Sequence, residues 1–86
     1  MILNGKAALI TGGKRMGPVL AELLARHGVD VALTWNRARA EADEAASAVR
    51  AAGRRAAVIQ ADLSKAEDCA RAVAEAEAAF GRLDIL

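Results

Sequence analysis

Seven residues near the N-terminus, Thr11-Gly12-Gly13-Lys14-Arg15-Met16-Gly17, are the first place where residue type and spacing suggest chemistry. They follow the short apolar run Ala7–Ile10 and precede a helical pattern. Backbone N–H groups at a helix start, with the positive end of the helix dipole behind them, hold an anion well. Gly12 suits a tight turn, and Gly17 lets a helix approach a strand or a ligand closely. The functional reading is a phosphate site, and the bland one is a plain strand-to-helix turn. The strand before and the amphipathic helix after favour the phosphate site.

The glycine spacing Gly12-x4-Gly17 matches a P-loop, but Pro18 and Val19 stand where that motif needs Lys and Ser or Thr. Pro18 suits the first turn of a helix and supplies no N–H. A dinucleotide loop remains, with Arg15 in place of the second glycine of G-x-G-x-x-G. An NAD site also wants an acid at the end of the second strand for the ribose 2′-OH. Asp30 comes too early for that, and the strand ends instead in Trp35-Asn36-Arg37. The planar fork of Arg37 can pair with a 2′-phosphate, so NADP(H) is favoured over NAD(H). Residues 1–39 carry six basic and two acidic side chains, against six and nine in residues 40–86. For Arg37 and Arg39 the competing reading is solvated surface at a helix start.

Three apolar runs, at Ala7–Ile10, Val29–Trp35 and Ala56–Ile59, must position these residues. They suit buried parallel strands. Met16, Val19, Leu20, Leu23 and Leu24 form one helical stripe, closed by Gly28. Ala42, Ala45, Ala46, Val49 and Ala52 form a second, stopped by Gly53. The third is Cys69, Val73, Ala76 and Phe80, opened by the capping-box spacing Ser64-x-x-Glu67 and stopped by Gly81. Leu83–Leu86 looks like the start of a fourth strand. The reading is α/β: a Rossmann-type doubly wound parallel sheet, present as its first βαβαβα half with the fourth strand truncated. Residues 1–86 then form one partial dinucleotide-binding domain.

Composition sets limits. The 86 residues carry a net charge of +1 and are 55% hydrophobic, which argues against disorder and gives no electrostatic reason to expect nucleic acid. Almost half of the apolar residues are alanine, so the core is thin and marginal stability is expected. No apolar run spans a bilayer and no signal-peptide pattern opens the chain. One cysteine, Cys69, excludes an intramolecular disulfide framework and a zinc site of several thiolates. It reads as core packing. Glu41, Asp43 and Glu44 read as helix-dipole and solubility residues rather than a metal site. His27 reads as a cation at a helix end, and Trp35 as packing against the neighbouring helix. A reducing, cytoplasmic compartment is the expectation.

With these residues assembled, the chain resembles the N-terminal segment of the short-chain dehydrogenase/reductase family. The motifs that carry the resemblance are Thr11-Gly12…Gly17, Asn36-Arg37, Ala61-Asp62-Leu63 and Phe80-Gly81-Arg82-Leu83-Asp84-Ile85-Leu86. The family's loop T-G-x-x-x-G-x-G here has arginine in place of its middle glycine, a variant similar to the pteridine reductase branch and ketoacyl-reductase-like relatives. The resemblance implies NADP(H)-dependent reduction of a carbonyl or C=N bond in a small substrate, by a parent that is a homo-oligomer. Gly12, Lys14, Arg15, Met16 and Gly17 would lie against the cofactor's phosphates and ribose. Asn36 and Arg37 would hold the 2′-phosphate, and Asp62 and Leu63 would flank the adenine. A hydroxyl residue often follows the arginine in that branch, and Ala38 removes that hydrogen bond. The family's chemistry uses Tyr-x-x-x-Lys and a Ser. There is no tyrosine here, and Ser64 and Ser47 read as a helix cap and a mid-helix residue. No catalytic residue is therefore assigned. A non-catalytic NADP(H)-sensing module is the alternative function, and a flavodoxin-like or receiver-type domain a weaker one.

Overall fold

A computed structural model describes residues 4–11, 16–37 and 39–84. Three strands and three helices alternate: β1 (Ala7–Ile10), α1 (Met16–Arg26), β2 (Asp30–Trp35), α2 (Arg39–Ala51), β3 (Ala56–Gln60) and α3 (Ala66–Phe80). The sheet is parallel, in the order β1-β2-β3, with Ala7 opposite Asp30 and Val31 opposite Ala56. This is the first half of a doubly wound sheet, as the alternating pattern predicts.

Period-two alternation sorts the strand residues between two cores. Ala8, Val31 and Leu33 join Ala21 and Ala25 of α1 and Ala42, Ala45, Ala46 and Val49 of α2 in one buried cluster. Ala7, Leu9, Ala32 and Ile59 join Ala72, Ala76 and Phe80 of α3 in the other. Strands β1 and β2 are thus covered on both faces and β3 is partly covered, which is why they read as unbroken apolar runs.

The α2 stripe is buried as periodicity predicts, at Ala42, Ala45, Ala46 and Val49, as are Ala76 and Phe80 of α3, but the face of α1 and the rest of the α3 stripe differ. Val19 and Leu23 of α1 are 58% and 53% exposed, and Leu20 is exposed too, while Ala21 and Ala25 are buried. Alanine lets two helix backbones approach closely, so α1 and α2 meet through their small residues and the larger ones point away. In α3 the buried position is Ala72, not Val73, which is exposed; Cys69 is half-buried rather than core. Ser64 is not the cap of α3. That position belongs to Lys65, which makes no side-chain capping bond, while the Ser64 hydroxyl turns to Asp62.

The end of α1 is set by Gly28, at φ +84°. Its N–H donates to the Ala25 carbonyl at 2.9 Å and the Val29 N–H reaches back to Leu24 at 3.1 Å. This left-handed closure is open to glycine at little cost. It drops Val29 directly into the core and begins β2 at Asp30.

Candidate cofactor-binding site

Parallel strands deliver their C-terminal ends to one edge of the sheet, where open α/β folds bind ligands. Here the ends of β2 and β3 enclose a cleft of ≈ 290 Å³ lined by Thr34, Trp35, Asn36, Ala61, Asp62, Leu63 and Ser64. The volume lies near the low end for ligand sites, about 300–1,000 Å³, and suits one nucleoside half of a dinucleotide.

Residues of β3, of α3 and of the loop between them fix the β3-side wall. The Asp62 N–H donates to Oδ2 of Asp68, in the first turn of α3, at 2.8 Å. The Lys65 N–H closes a turn onto the Asp62 carbonyl at 3.0 Å. The Ser64 amide and hydroxyl both donate to Asp62 Oδ1, at 3.0 and 2.6 Å. Arg71 spans from α3 to the Gln60 carbonyl at 2.7 Å and pairs with Asp68 and Glu75. The Cys69 thiol lies 3.4 Å from the Leu63 carbonyl. Asp62 and Leu63 are therefore held by α3 rather than left in a loose loop.

The two Ser64 hydrogen bonds, with the charges of Lys65 and Arg37, hold the Asp62 carboxyl below its ordinary value of 3.8, outweighing its partial desolvation. At neutral pH it is an ionised acceptor, and its second oxygen has capacity for a ligand N–H. Arg37, which follows β2, is one of the charges that act on Asp62.

On the β2 side, Trp35 packs against the α1/α2 cluster and also lines the cleft. Asn36 and Arg37 follow it and are exposed. Arg39 opens α2 with its guanidinium 5.7 Å from the centre of the Trp35 ring, and its Nε is 3.3 Å from Asp43. Of the residues expected from sequence, the structure brings Asn36, Asp62 and Leu63 to one cleft with Arg37 beside it. Gly12, Lys14 and Arg15 lie outside the described residues, and Met16 and Gly17 are placed only as the first two residues of α1. Asp68 and Arg71 went unrecognised in the sequence. Their i, i+3 spacing at the start of a helix was the available signal.

The donor set fits a nicotinamide dinucleotide at its adenosine end. It offers an indole and a leucine for a flat base, an ionised acceptor for an amino group, and an exposed amide and guanidinium for ribose and phosphate oxygens. No group of three or more acidic, histidine or cysteine residues suited to a metal occurs among the described residues. Among them too, no helix is long and apolar enough to cross a membrane.

A parallel sheet wound on both faces, with a cleft of mixed polar and apolar lining at its strand ends, defines a nucleotide-binding α/β protein. Residues 6–86 match the model of the short chain dehydrogenase family, and the chain belongs to this family of oxidoreductases. It is 42% identical over 85 residues to a hydroxynaphthalene reductase of Aspergillus fumigatus, covering 98% of this chain and 31% of that protein. It is 45% identical over 85 residues to an uncharacterised oxidoreductase of Mycobacterium tuberculosis, covering 98% of this chain and 32% of that one. A short chain dehydrogenase from Burkholderia cenocepacia J2315, solved in complex with NADP, superimposes with a TM-score of 0.89 at 40% identity. That match covers 99% of this chain and 36% of the other. The chain thus spans about a third of the length of the relatives it matches.

Proposed function

We propose that residues 1–86 are a partial dinucleotide-binding domain, the cofactor-binding half of an NADP(H)-dependent oxidoreductase. Its parent reduces a carbonyl or C=N bond of a small molecule and works in the cytoplasm as a homo-oligomer. The observation that carries this reading is the cleft at the ends of β2 and β3, where Asn36, Asp62 and Leu63 meet beside Arg37. The absence of an acid after β2, with Arg37 in its place, supports NADP(H) over NAD(H). Relatives named hydroxynaphthalene reductase and versicolorin reductase support reduction of a small organic substrate. The arginine-containing glycine loop favours a pteridine reductase-like or ketoacyl-reductase-like branch.

In this reading Asp62 accepts from the adenine amino group and Leu63 packs on the ring. Asn36 and Arg37 bind the 2′-phosphate, and residues 12–17 bind the pyrophosphate at the start of α1. The cofactor, when bound, supplies a hydride. A carbonyl oxygen also needs a proton donor, and the 86 residues contain no tyrosine to serve.

The test is a titration of NADPH and NADH against the chain and its Arg37→Ala variant. The parent chain should bind NADPH more tightly, and the variant should lose about 1.5–3 kcal/mol of that preference, the scale of a charge-assisted hydrogen bond. The chain alone should show no NADPH-dependent reductase turnover. Equal affinity for the two cofactors, or a preference unmoved by the substitution, removes the 2′-phosphate assignment.

A further inference from the structure

Three side chains near the start of α3 hold three main-chain groups at and after the end of β3. Asp68 Oδ2 accepts the Asp62 N–H at 2.8 Å, the Cys69 thiol donates to the Leu63 carbonyl at 3.4 Å, and Arg71 Nη2 donates to the Gln60 carbonyl at 2.7 Å. Asp68, Arg71 and Glu75 follow one another at helical spacings of three and four, so they share a stripe. Arg71 lies 3.8 Å from Asp68 and 2.6 Å from Glu75. The Asp68 side chain is only 22% exposed, against 44% for Arg71. Its bond to Asp62 is therefore better shielded from water than a surface pair.

The segment so held carries the Asp62 carboxylate. Both Ser64 bonds go to its Oδ1, and they fix the carboxylate only within its own turn. Asp68 ties that turn to a helix whose Ala72, Ala76 and Phe80 are packed into the core under the sheet. A hydrogen bond to a planar base depends on where the acceptor stands, and a segment ordered before binding loses less entropy when the ligand arrives. We propose that Asp68 is a positioning residue for purine recognition, which sets the second oxygen of Asp62 against the amino group of the base. Arg71 is its counter-charge and a second anchor, on Gln60. This deepens the NADP(H) reading and rests on its assignment of Asp62 to adenine. Asp68 acts through the Asp62 main chain and touches no ligand itself, so its acceptor oxygen matters more than its charge.

The experiment titrates the chain with NADPH and with its hypoxanthine analogue, which carries a carbonyl in place of the adenine amino group. Nicotinamide fluorescence reports binding, and circular dichroism follows the fold. Asp68→Ala should weaken NADPH about tenfold and the analogue less than about threefold, so discrimination between the two shrinks. Asp68→Asn keeps an acceptor oxygen for the Asp62 N–H and should retain discrimination within about twofold. Arg71→Ala should lose about threefold in NADPH affinity and part of the discrimination, and combining it with Asp68→Ala should cost less than the product of the two. Equal weakening of both ligands by Asp68→Ala would make the residue a general support of the fold, and a change below twofold would make it surface; either result overturns the proposal. Should Asp68→Ala fail to fold, the other two variants decide: discrimination lost in Asp68→Asn, or untouched in Arg71→Ala, overturns it. If the parent chain discriminates and Asp68→Ala does so equally well, only the role of Asp68 falls. If the parent chain binds the two ligands equally, or binds neither, the assignment of Asp62 to adenine falls and takes Asp68 with it.

Discussion

Asp30 opens β2, at the far end of the strand from the cleft. Its side chain is only 4% exposed and meets two arginines. Asp30 Oδ1 accepts the Arg55 backbone N–H at 2.9 Å, and Oδ2 accepts Nε and Nη2 of Arg55 at 3.0 and 2.7 Å. Arg54 Nε lies 3.2 Å away. Arg55 also lies 5.4 Å over the Phe80 ring and bonds the Phe80 carbonyl at 3.4 Å, so the cluster ties β2 to the start of β3 and the end of α3. Burial pushes the Asp30 carboxyl up, but the Arg55 hydrogen bonds and the two arginine charges outweigh it and hold the group below 3.8. A carboxyl depressed in the folded state stabilises the fold above its unfolded value, near 3.9, and loses that contribution as pH falls through the folded value. Asp30→Asn should therefore cost about 1.5–3 kcal/mol at neutral pH. The same substitution should flatten the acid side of the stability profile. Urea unfolding from pH 7 down to pH 3 checks both; an unchanged profile would mean the cluster contributes no net stability.

Among the elements, the junction between α1 and β2 is the most constrained by its backbone. Gly28 combines a φ of +84° with close contact: an added Cβ would overlap Asn4 Oδ1 and lie 3.0 Å from the Asn4 Cα. The Gly28 carbonyl also accepts the Gly5 N–H at 2.9 Å, so the segment before β1 is built against this turn. Gly53 ends α2 at φ +85° with nothing within 4 Å of an added Cβ. The two positions share a backbone cost and differ in packing. Gly53→Ala should lose about 1 kcal/mol from the left-handed conformation alone, and Gly28→Ala roughly 1–3 kcal/mol more, because the backbone at Asn4 must shift. Thermal melts of the two variants side by side give the difference directly, and equal losses would show that the Asn4 contact relaxes freely.

For the molecule as a whole, the weak places are one edge and one face. In the three-stranded sheet β1 is an edge strand, met among the described residues by Asp84. The Asp84 N–H donates to the Ala7 carbonyl at 2.9 Å and its Oδ2 accepts the Ala7 N–H at 3.0 Å. Arg82 holds the same carboxylate at 2.7 and 2.8 Å, and these bonds pull its pKa down to about 2. Asp84, in the segment expected to begin the fourth strand, thus satisfies Ala7 twice, through its own N–H and through its carboxylate. Beyond Ala7 the strand's edge and the exposed Val19, Leu20 and Leu23 of α1 invite a second copy of the chain. The 86-residue chain should self-associate as its concentration rises. Asp84→Ala should strengthen this by freeing the start of β1, and Leu20→Lys with Leu23→Glu should weaken it. Light scattering across a concentration series tests the set; a monomer at every concentration, unaltered by either change, would show that the edge and face are inert.

The features legible in the sequence were those with local causes. Strands β1 and β2 are apolar runs buried on both faces and β3 a partly buried one, the helices end at Gly28, Gly53 and Gly81 because glycine admits positive φ, and a guanidinium after β2 is a matter of covalent order. Those signals reach a few residues along the chain, so they located the sheet, its alternation with helices and the strand ends where Asn36, Arg37, Asp62 and Leu63 stand. What the tertiary structure decided was which neighbour each surface meets. Periodicity marks an apolar stripe on α1, but the close approach of α2 selects Ala21 and Ala25 for burial and leaves Val19, Leu20 and Leu23 outside. Ser64 has the spacing of a helix cap, yet its hydroxyl finds Asp62, whose turn is fixed by Asp68 from α3. Asp30 meets Arg54 and Arg55 across 24 and 25 positions of chain, a pairing imposed by the register that sets Val31 opposite Ala56. Such choices depend on distances between elements, and a single chain of letters encodes those only through the packed fold.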